Sequence, residues 1–273
     1  MSAQAATADI VLRELACLGE LTHAEHFQRE VWGEDDKADN ADLLLALQHE
    51  GALVAGAFRD ERMLGFLFGF PTRDPERQHS HRLGVHPDSR GIGLGARLKW
   101  FQRDWCLERG IARVGWTFDP LLGVNAALNI ERLGGTAELY LENRYGAMPG
   151  INAGTPSDRL LVDWALASPE VERLARGEGR STLPSAPPRP SPDVGSSERS
   201  ARHRSTARRD LEGAGVTTVA IPADIVSMLV DCPAQALAER HRVRAALQDG
   251  FASGLRITRF DRSTNRYTLT RRS

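Results

Sequence analysis

The chain has 273 residues, a formal net charge of -1, and 41% hydrophobic and 26% charged residues. This suits one full globular domain with a smaller companion and gives no pull toward nucleic acid or an anionic membrane surface. No apolar run reaches the ~20 residues of a membrane span, and Met1–Ile10 lacks the basic flank and apolar core of a secretion signal. Cys17, Cys106 and Cys232 are scattered and odd in number. Neither a disulfide framework nor a CxxC metal site is expected from them, and a reducing, cytoplasmic location is.

Residues 9–18 form a predicted first strand. Thr22 and Glu25 have the spacing of a capping box that opens a helix toward Trp32. A second helix runs around Ala41–Gln48 and ends near Gly51. Ala52–Phe58 and Met63–Phe70 read as an antiparallel hairpin around Arg59–Arg62. Gln78–Val85 is a strand with polar alternation. A glycine-rich loop then enters a helix over 91–109, with Leu94, Leu98, Phe101 and Trp105 on one face and Gly110 as its stop. Ile111–Phe118, Thr136–Tyr145 and Arg159–Leu166 are strands. Asn125–Leu133 is a helix closed by Gly134 and Gly135.

These elements divide the chain into a main domain at 1–166, a short helix and flexible Pro/Ser/Arg-rich linker at 167–210, and a small α+β segment at 211–273. The linker composition cannot bury a core. The last segment has a strand at Val216–Ile221, a helix at Ala234–Ala252, and a hairpin of Leu255–Phe260 with Tyr267–Arg271. About sixty residues make a marginal core alone, so this segment is expected to dock on the first domain or on another subunit.

The stretch Leu83–Leu98 carries the most chemistry. Gly91, Gly93 and Gly95 leave the backbone uncovered where a helix begins. Successive N–H groups there converge on an anion. The helix dipole adds roughly half a positive charge, and Arg90 adds a full one beside it. Such a loop cradles a diphosphate. The triphosphate-binding string Gly-x-x-x-x-Gly-Lys-Ser/Thr does not follow a strand here. A dinucleotide fingerprint is matched weakly as Gly91-x-Gly93-x-x-Ala96, with Asp119 ending the next strand, and this reading stays open.

Val85-x-Pro87-x-x-Arg90-Gly91-x-Gly93-x-Gly95 resembles the coenzyme A loop of the GNAT superfamily of acyl-CoA-dependent N-acetyltransferases. The element order β-α-α-β-β-β-α-β-α-β-β extends the resemblance over about residues 8–166. It implies an α+β fold with a mixed, mostly antiparallel central sheet flanked by helices, here with a small C-terminal α+β extension. It implies acetyl-CoA or another acyl-CoA as co-substrate, and no metal. The residues it assigns to that co-substrate are Leu83, Val85, Arg90, Gly91, Ile92, Gly93, Leu94, Gly95 and Ala96. Asn125 would bond the pantetheine amides, with capping of its helix as the other reading.

His79 and His81 share one face of the strand that feeds this loop. The string His79-x-His81-x-Leu83-x-Val85-His86 is similar to that of arylalkylamine N-acetyltransferases, where paired histidines take the proton from the substrate ammonium. An aliphatic amine is protonated at neutral pH and needs such a base before it can attack a thioester. Histidine accepts a proton near ~pH 7, so the rate should rise with pH through an apparent pKa near the ordinary histidine value. Two ordinary strand histidines are the alternative, and a metal reading would need His86 or Asp119 as a further ligand. Glu76 and Asp119 are the reserve candidates for a water-relayed base. A backbone N–H near Val85 would serve the oxyanion. The resemblance implies a tyrosine four residues before Gly134 as the acid for the leaving thiolate. Ile130 stands there, which leaves Tyr145 as the replacement ahead of Tyr140.

Trp32-Gly-Glu34-Asp35-Asp36 and Asn143-Arg144-Tyr145 fall where the acceptor would lie. Acidic side chains there would hold an ammonium and Arg144 a carboxylate. The expected reaction is transfer of an acetyl or succinyl group to a primary amine of a small molecule or amino acid, by direct attack. A protein N-acetyltransferase and a non-catalytic acyl-CoA-binding module are the alternatives. The partner is a small-molecule amine; a homodimer stays open, and neither nucleic acid nor membrane is expected.

Overall fold

In the computed structural model, residues 9–34, 37–146, 155–178 and 216–271 are described. Strand β1 (Val11–Glu14) leads into helices α1 (Leu18–Trp32) and α2 (Ala41–His49). The hairpin of β2 (Leu53–Arg59) and β3 (Arg62–Pro71) turns through Asp60 at φ 52°. Strand β4 (Arg77–Val85), helix α3 (Leu94–Glu108) and strand β5 (Arg113–Phe118) follow, with the glycine loop between β4 and α3. Helix α4 (Gly123–Ala126) continues as a π-helical turn over Ala127–Arg132, then come β6 (Thr136–Leu141), β7 (Arg159–Ala165) and α5 (Pro169–Ala175). The C-terminal segment adds β8 (Val216–Ala220), α6 (Ile225–Asp231), α7 (Pro233–Ala252), β9 (Leu255–Asp261) and β10 (Arg266–Arg271).

The strands form one 10-stranded sheet in the order β1-β2-β3-β4-β5-β7-β6-β9-β10-β8. Only the β4–β5 step is parallel among the pairings described; the others are antiparallel. This excludes the doubly wound parallel sheet that the dinucleotide reading requires. The expected mixed, mostly antiparallel sheet is what forms. Its two faces bury separate cores. Phe66 and Phe68 of β3 pack with Leu21, Phe27 and Leu44 of α1 and α2, while Leu67 between them packs with Leu94 and Leu98 of α3. Alternation along one strand thus serves both layers.

Local departures from the sequence reading have physical causes. The capping box at Thr22 and Glu25 does not form, because α1 starts a turn earlier, at Leu18. Glu20 in the first turn accepts from Ala16 N at 2.6 Å and satisfies an orphan N–H. Thr22 instead donates to Leu18 O inside the helix. Strand β6 stops at Leu141 rather than Tyr145, because Asn143 takes φ 41° and its N–H turns to Asp158 at 3.0 Å. On α3, Phe101 is only half-buried, and Lys99 and Gln102 take places in the interior. Helix α6 was not apparent from periodicity; Asp224 caps it through Ser227 N at 3.0 Å, and Cys232 at φ -144° with Pro233 separates it from α7. The linker expected at 181–210 lies outside the described residues.

The C-terminal strands continue the sheet from β6, through the pairing of Ala137 with Ile257. Their buried residues Ile257, Phe260, Tyr267 and Leu269 join one cluster with Ala137, Tyr140 and Leu160. Tyr267 donates to Pro120 O at 2.8 Å, so the extension grips the segment just after β5. Among the described residues, no helix is long and apolar enough to cross a membrane.

Candidate active site

Strands β4 and β5 pair only over Arg77–His79 against Arg113–Gly115. Beyond that point each keeps its outer neighbour. β4 follows β3 to the pair Val85–Gly65, and β5 follows β7 to the pair Phe118–Leu160. The two strands therefore part from each other while both stay in the sheet. A wedge opens whose apex lies at His79 and Gly115 and whose mouth is the glycine loop. Backbone groups of β4 past His79 have no β5 ladder to meet.

At the mouth, Gly91 and Gly93 hold φ 84° and 81°, a left-handed backbone that only glycine takes at little cost. Gly93 is the N-cap of the 15-residue α3 and has no side chain to cover the helix N-terminus. A Cβ on Gly91 would meet nothing within 4 Å; on Gly95 it would lie 3.7 Å from Val85 Cγ2 and 3.8 Å from Leu83 Cδ2. Leu94 and Ala96 are buried in the core, so only their backbones can face an anion; Ile92 is half-buried against the same core. Arg90 is exposed, and its Nε donates to Val85 O at 3.4 Å. Arg132, from the end of the π-helical turn, brings a guanidinium nitrogen to 2.9 Å from where a Gly93 Cβ would stand. Sequence reasoning missed this second cation, which follows Gly93 by a strand and a helix. The loop fits a diphosphate: open backbone, a helix N-terminus and two guanidinium groups.

At the apex stand the histidines. A register shift between Phe68 and Gly69 bulges β4 at His81, and bulges re-aim side chains. His79 and His81 lie on the α1 side with ring centroids 6.1 Å apart, both against Phe70 at 5.0 and 5.7 Å. The bulge also turns Arg82 to that side. His81 Nε2 is 3.6 Å from Asp39 Oδ1, and Arg82 Nε is 3.1 Å from Asp39 Oδ2. Asp39 is held in place by Gln28, buried in α1, which accepts from Asp39 N at 3.0 Å and donates to Asp39 O at 3.1 Å. Trp32 lies over Gly84 and stacks on Arg82 at 4.9 Å.

His79 is pushed down to about 4 by burial, by His81, and by the cations Lys99, Arg77 and Arg144. The ordinary histidine value expected from the sequence does not hold for this ring, because the neighbourhood already carries positive charge. Lys99 approaches from the opposite side of the sheet. It is 2% exposed, donates to Ser80 Oγ at 3.1 Å and Gln102 Oε1 at 2.7 Å, and sits 3.6 Å over the Trp116 ring. Ser80 and Trp116 are the first residues of β4 and β5 beyond their last pair, so Lys99 plugs the apex from behind. Burial lowers it to about 7.

Ile130 is 2% exposed in the core, with no hydroxyl to offer. Tyr145 is 56% exposed; its OH is 3.0 Å from Thr117 Oγ1 of β5, and Arg159 stacks on its ring at 5.2 Å. Tyr140 instead donates to Asp158 at 2.7 Å in the interior. Asn125 lies within α4, whose N-cap is Leu122, so capping is not its role. Asp119 accepts from Leu121 N at 2.9 Å and from the buried Arg240 at 2.8 Å. It is therefore committed to structure rather than to base or metal chemistry. Glu76 is exposed before β4, where its carbonyl accepts from Ala112 N and Arg113 N. Asp35 and Asp36 lie outside the described residues.

Solved structures similar to this chain include the ribosomal-protein-S18-alanine N-acetyltransferase of Escherichia coli, at 18% identity and a TM-score of 0.47 over 58% of this chain and 95% of that one. Aminoglycoside 6'-acetyltransferase type Ii aligns at 16% and 0.48 over 58% and 98%. A phosphinothricin acetyltransferase of Sinorhizobium meliloti, in complex with AcCoA, aligns at 15% and 0.45 over 57% and 87%. Among curated protein sequences, none matches significantly. Residues 18–129, which run from α1 through the wedge and loop into α4, match the model of the acetyltransferase (GNAT) family. Over those residues the chain is similar to the acetyltransferases of the GNAT family.

Proposed function

We propose that the chain is an acyl-CoA-dependent N-acyltransferase that moves an acetyl group, or a larger acyl such as succinyl, to a primary amine of a small molecule or amino acid. One observation carries the reading: the β4–β5 wedge joins a diphosphate-type loop at its mouth to a histidine pair at its apex. Acyl-CoA, when bound, supplies the activated thioester. The loop backbone of Gly91–Ala96, with Arg90 and Arg132, would hold its diphosphate, and the backbone of Leu83 and Val85, with Asn125, would hold its pantetheine.

The remaining work falls to side chains. Direct attack forms one C–N bond and breaks one C–S bond. The amine nitrogen must shed a proton, and the sulfur must keep its electron pair or gain a proton. His81 is the better proton acceptor of the pair, since the Asp39 carboxylate faces its Nε2 and steadies the imidazolium that results. His79 stays neutral at pH 7 and serves as a hydrogen-bonding neighbour rather than a strong base. Tyr145 has an accessible phenol for the leaving thiolate. Arg144 is one of the cations that lower His79, and its charge favours amines that carry a carboxylate.

Calorimetric titration with coenzyme A, together with thiol release from acetyl-CoA against a panel of amines, amino acids and peptides, tests the reading. Saturable binding and release with a small amine support it; release with peptides alone transfers the reading to a protein N-acetyltransferase. One observation favours a second reading, a non-catalytic acyl-CoA-binding module: Ile130 occupies the tyrosine position and is sealed in the core. Binding without thiol release from any acceptor would select that reading.

A further inference from the structure

We propose that the C-terminal helix α7 is part of the acceptor side of the site: Arg244 holds the loop that presents Arg144 and Tyr145, and thereby sets how tightly the amine acceptor binds. The proposal rests on the acyl-transfer reading, because that loop faces an acceptor only in an enzyme that takes one.

The loop leaves β6 at Leu141 and returns to β7 at Arg159. In its described residues, 142–146 and 155–158, Arg144 N donates to Ser157 O and Gly146 N to Asn143 O, both at 3.1 Å, around Asn143 at φ 41°. The anchor is Asp158, which is fully buried at 0% exposure. One of its carboxylate oxygens accepts from Asn143 N at 3.0 Å and the other from Tyr140 OH at 2.7 Å. A buried carboxylate is stable only with a counterion. Arg244 supplies it through Nε at 3.0 Å and Nη2 at 2.8 Å. The same guanidinium reaches the other stem of the loop, donating to Glu142 at 2.8 Å, and Gln248 one turn further along α7 donates to Glu142 at 2.7 Å.

From these stems the bonding runs unbroken to the site. Asn143 Oδ1 accepts from Ser157 N at 3.2 Å, and Ser157 Oγ accepts from Tyr145 N at 2.9 Å. Tyr145 OH then meets Thr117 at 3.0 Å, two residues along β5 from Gly115, the partner of His79. Among the described residues, the bonds of Arg244 go to Glu142 and Asp158 and not to the glycine loop. Loss of Arg244 should therefore act on the acceptor and spare the diphosphate cradle. A bidentate guanidinium also cannot be replaced fully by a lysine, which keeps the charge but not the fork.

The test uses the full chain with Arg244→Met, Arg244→Lys and Glu142→Gln. Hydrogen exchange should quicken at residues 142–146 in Arg244→Met, while 255–271 keep their protection. The acceptor KM should rise about tenfold or more, with coenzyme A affinity within about twofold of wild type. Arg244→Lys should recover part of both changes, and Glu142→Gln should shift them slightly in the same direction. If Arg244→Met does not fold, the other two variants carry the comparison. Unchanged exchange at 142–146 overturns the proposal whatever the activity. Equal losses of acceptor and coenzyme A affinity overturn it too, since they mark general destabilisation. A wild type that releases no thiol with any amine overturns the acyl-transfer reading, and with it the acceptor role, even where exchange shows that Arg244 holds the loop.

Discussion

Arg240 and Asp119, 121 positions apart in sequence, form a buried ion pair at 2.8 Å that fastens α7 to the turn leaving β5. Arg240 is 2% exposed, and a charge left alone there has no water to turn to. Arg240→Ala should cost about 3–5 kcal/mol because it strands Asp119. The double variant Arg240→Met with Asp119→Asn should recover most of that loss, since asparagine keeps an acceptor for Leu121 N and leaves no unpaired charge. Denaturant unfolding of both variants checks this. A double variant no more stable than the single one would show that the pair itself, not its uncompensated half, is what matters.

The glycine loop separates binding from folding. Gly93→Val should abolish saturable coenzyme A binding in calorimetry, because its side chain would crowd the α3 N-terminus and push aside the Arg132 guanidinium, which lies 2.9 Å from the new Cβ. It should also lower the melting temperature, since φ 81° is strained for a β-branched residue. Gly95→Ala is the control. Its Cβ would meet side chains at ordinary contact distances of 3.7 to 3.9 Å, and alanine favours a helix by about 0.5–1 kcal/mol over glycine. That variant should fold at least as well and still bind. Loss of binding in Gly95→Ala but not in Gly93→Val would move the cradle along the helix.

Lys99 makes stability depend on pH on the alkaline side. Its folded pKa of about 7 lies below the unfolded value of 10.5. Between those limits the unfolded chain holds the proton that the folded chain has lost, so stability rises as pH climbs from about 7 to 10.5. Lys99→Met should flatten that rise and stabilise the protein at pH 7, where burying even part of a charge is unfavourable. It should also move the His79 titration upward, because Lys99 is one of the cations that depress it. Parallel stability curves for the two proteins over this range would refute the assignment.

The parts legible in the sequence are those written in short-range pattern. The alternation of β2 and β3, the glycines ahead of α3 and the i, i+2 spacing of His79 and His81 each express local geometry, and each appears as read. What stayed hidden depends on distant contact. Nothing near Asp39 says that it will face His81, because a bulge in β4 brings them together. Lys99 follows Leu98 on a helix whose apolar positions give no sign that an ammonium enters the core; the aromatic faces of Trp116 and Trp164 that receive it lie on other strands. Nothing in the sequence around Arg132, Arg240 or Arg244 points to Gly93, Asp119 or Asp158, because each partner is brought near by the fold. The missing tyrosine at Ile130, by contrast, was visible by counting from Gly134.

The histidine pair gives the sharpest test of mechanism. Replacing both His79 and His81 with alanine should lower kcat/KM by roughly 10²–10⁴-fold, with coenzyme A affinity unchanged, because neither ring touches the loop. The single variants should differ. His81→Ala removes the ring that faces Asp39 and should account for most of the loss. His79→Gln keeps a neutral hydrogen-bonding group and should lose much less. NMR titration should find His79 taking up its proton only near pH 4, where burial and its cationic neighbours place it. The sign of its effect on stability follows. Its folded pKa is depressed below the unfolded value of 6.5, so as pH falls from there the unfolded chain protonates first and stability declines down to about pH 4. His79→Gln should therefore resist acid better than wild type in that window while the rate at pH 7 stays near normal. A His79→Gln enzyme as inactive as the double variant would make His79, and not His81, the proton acceptor.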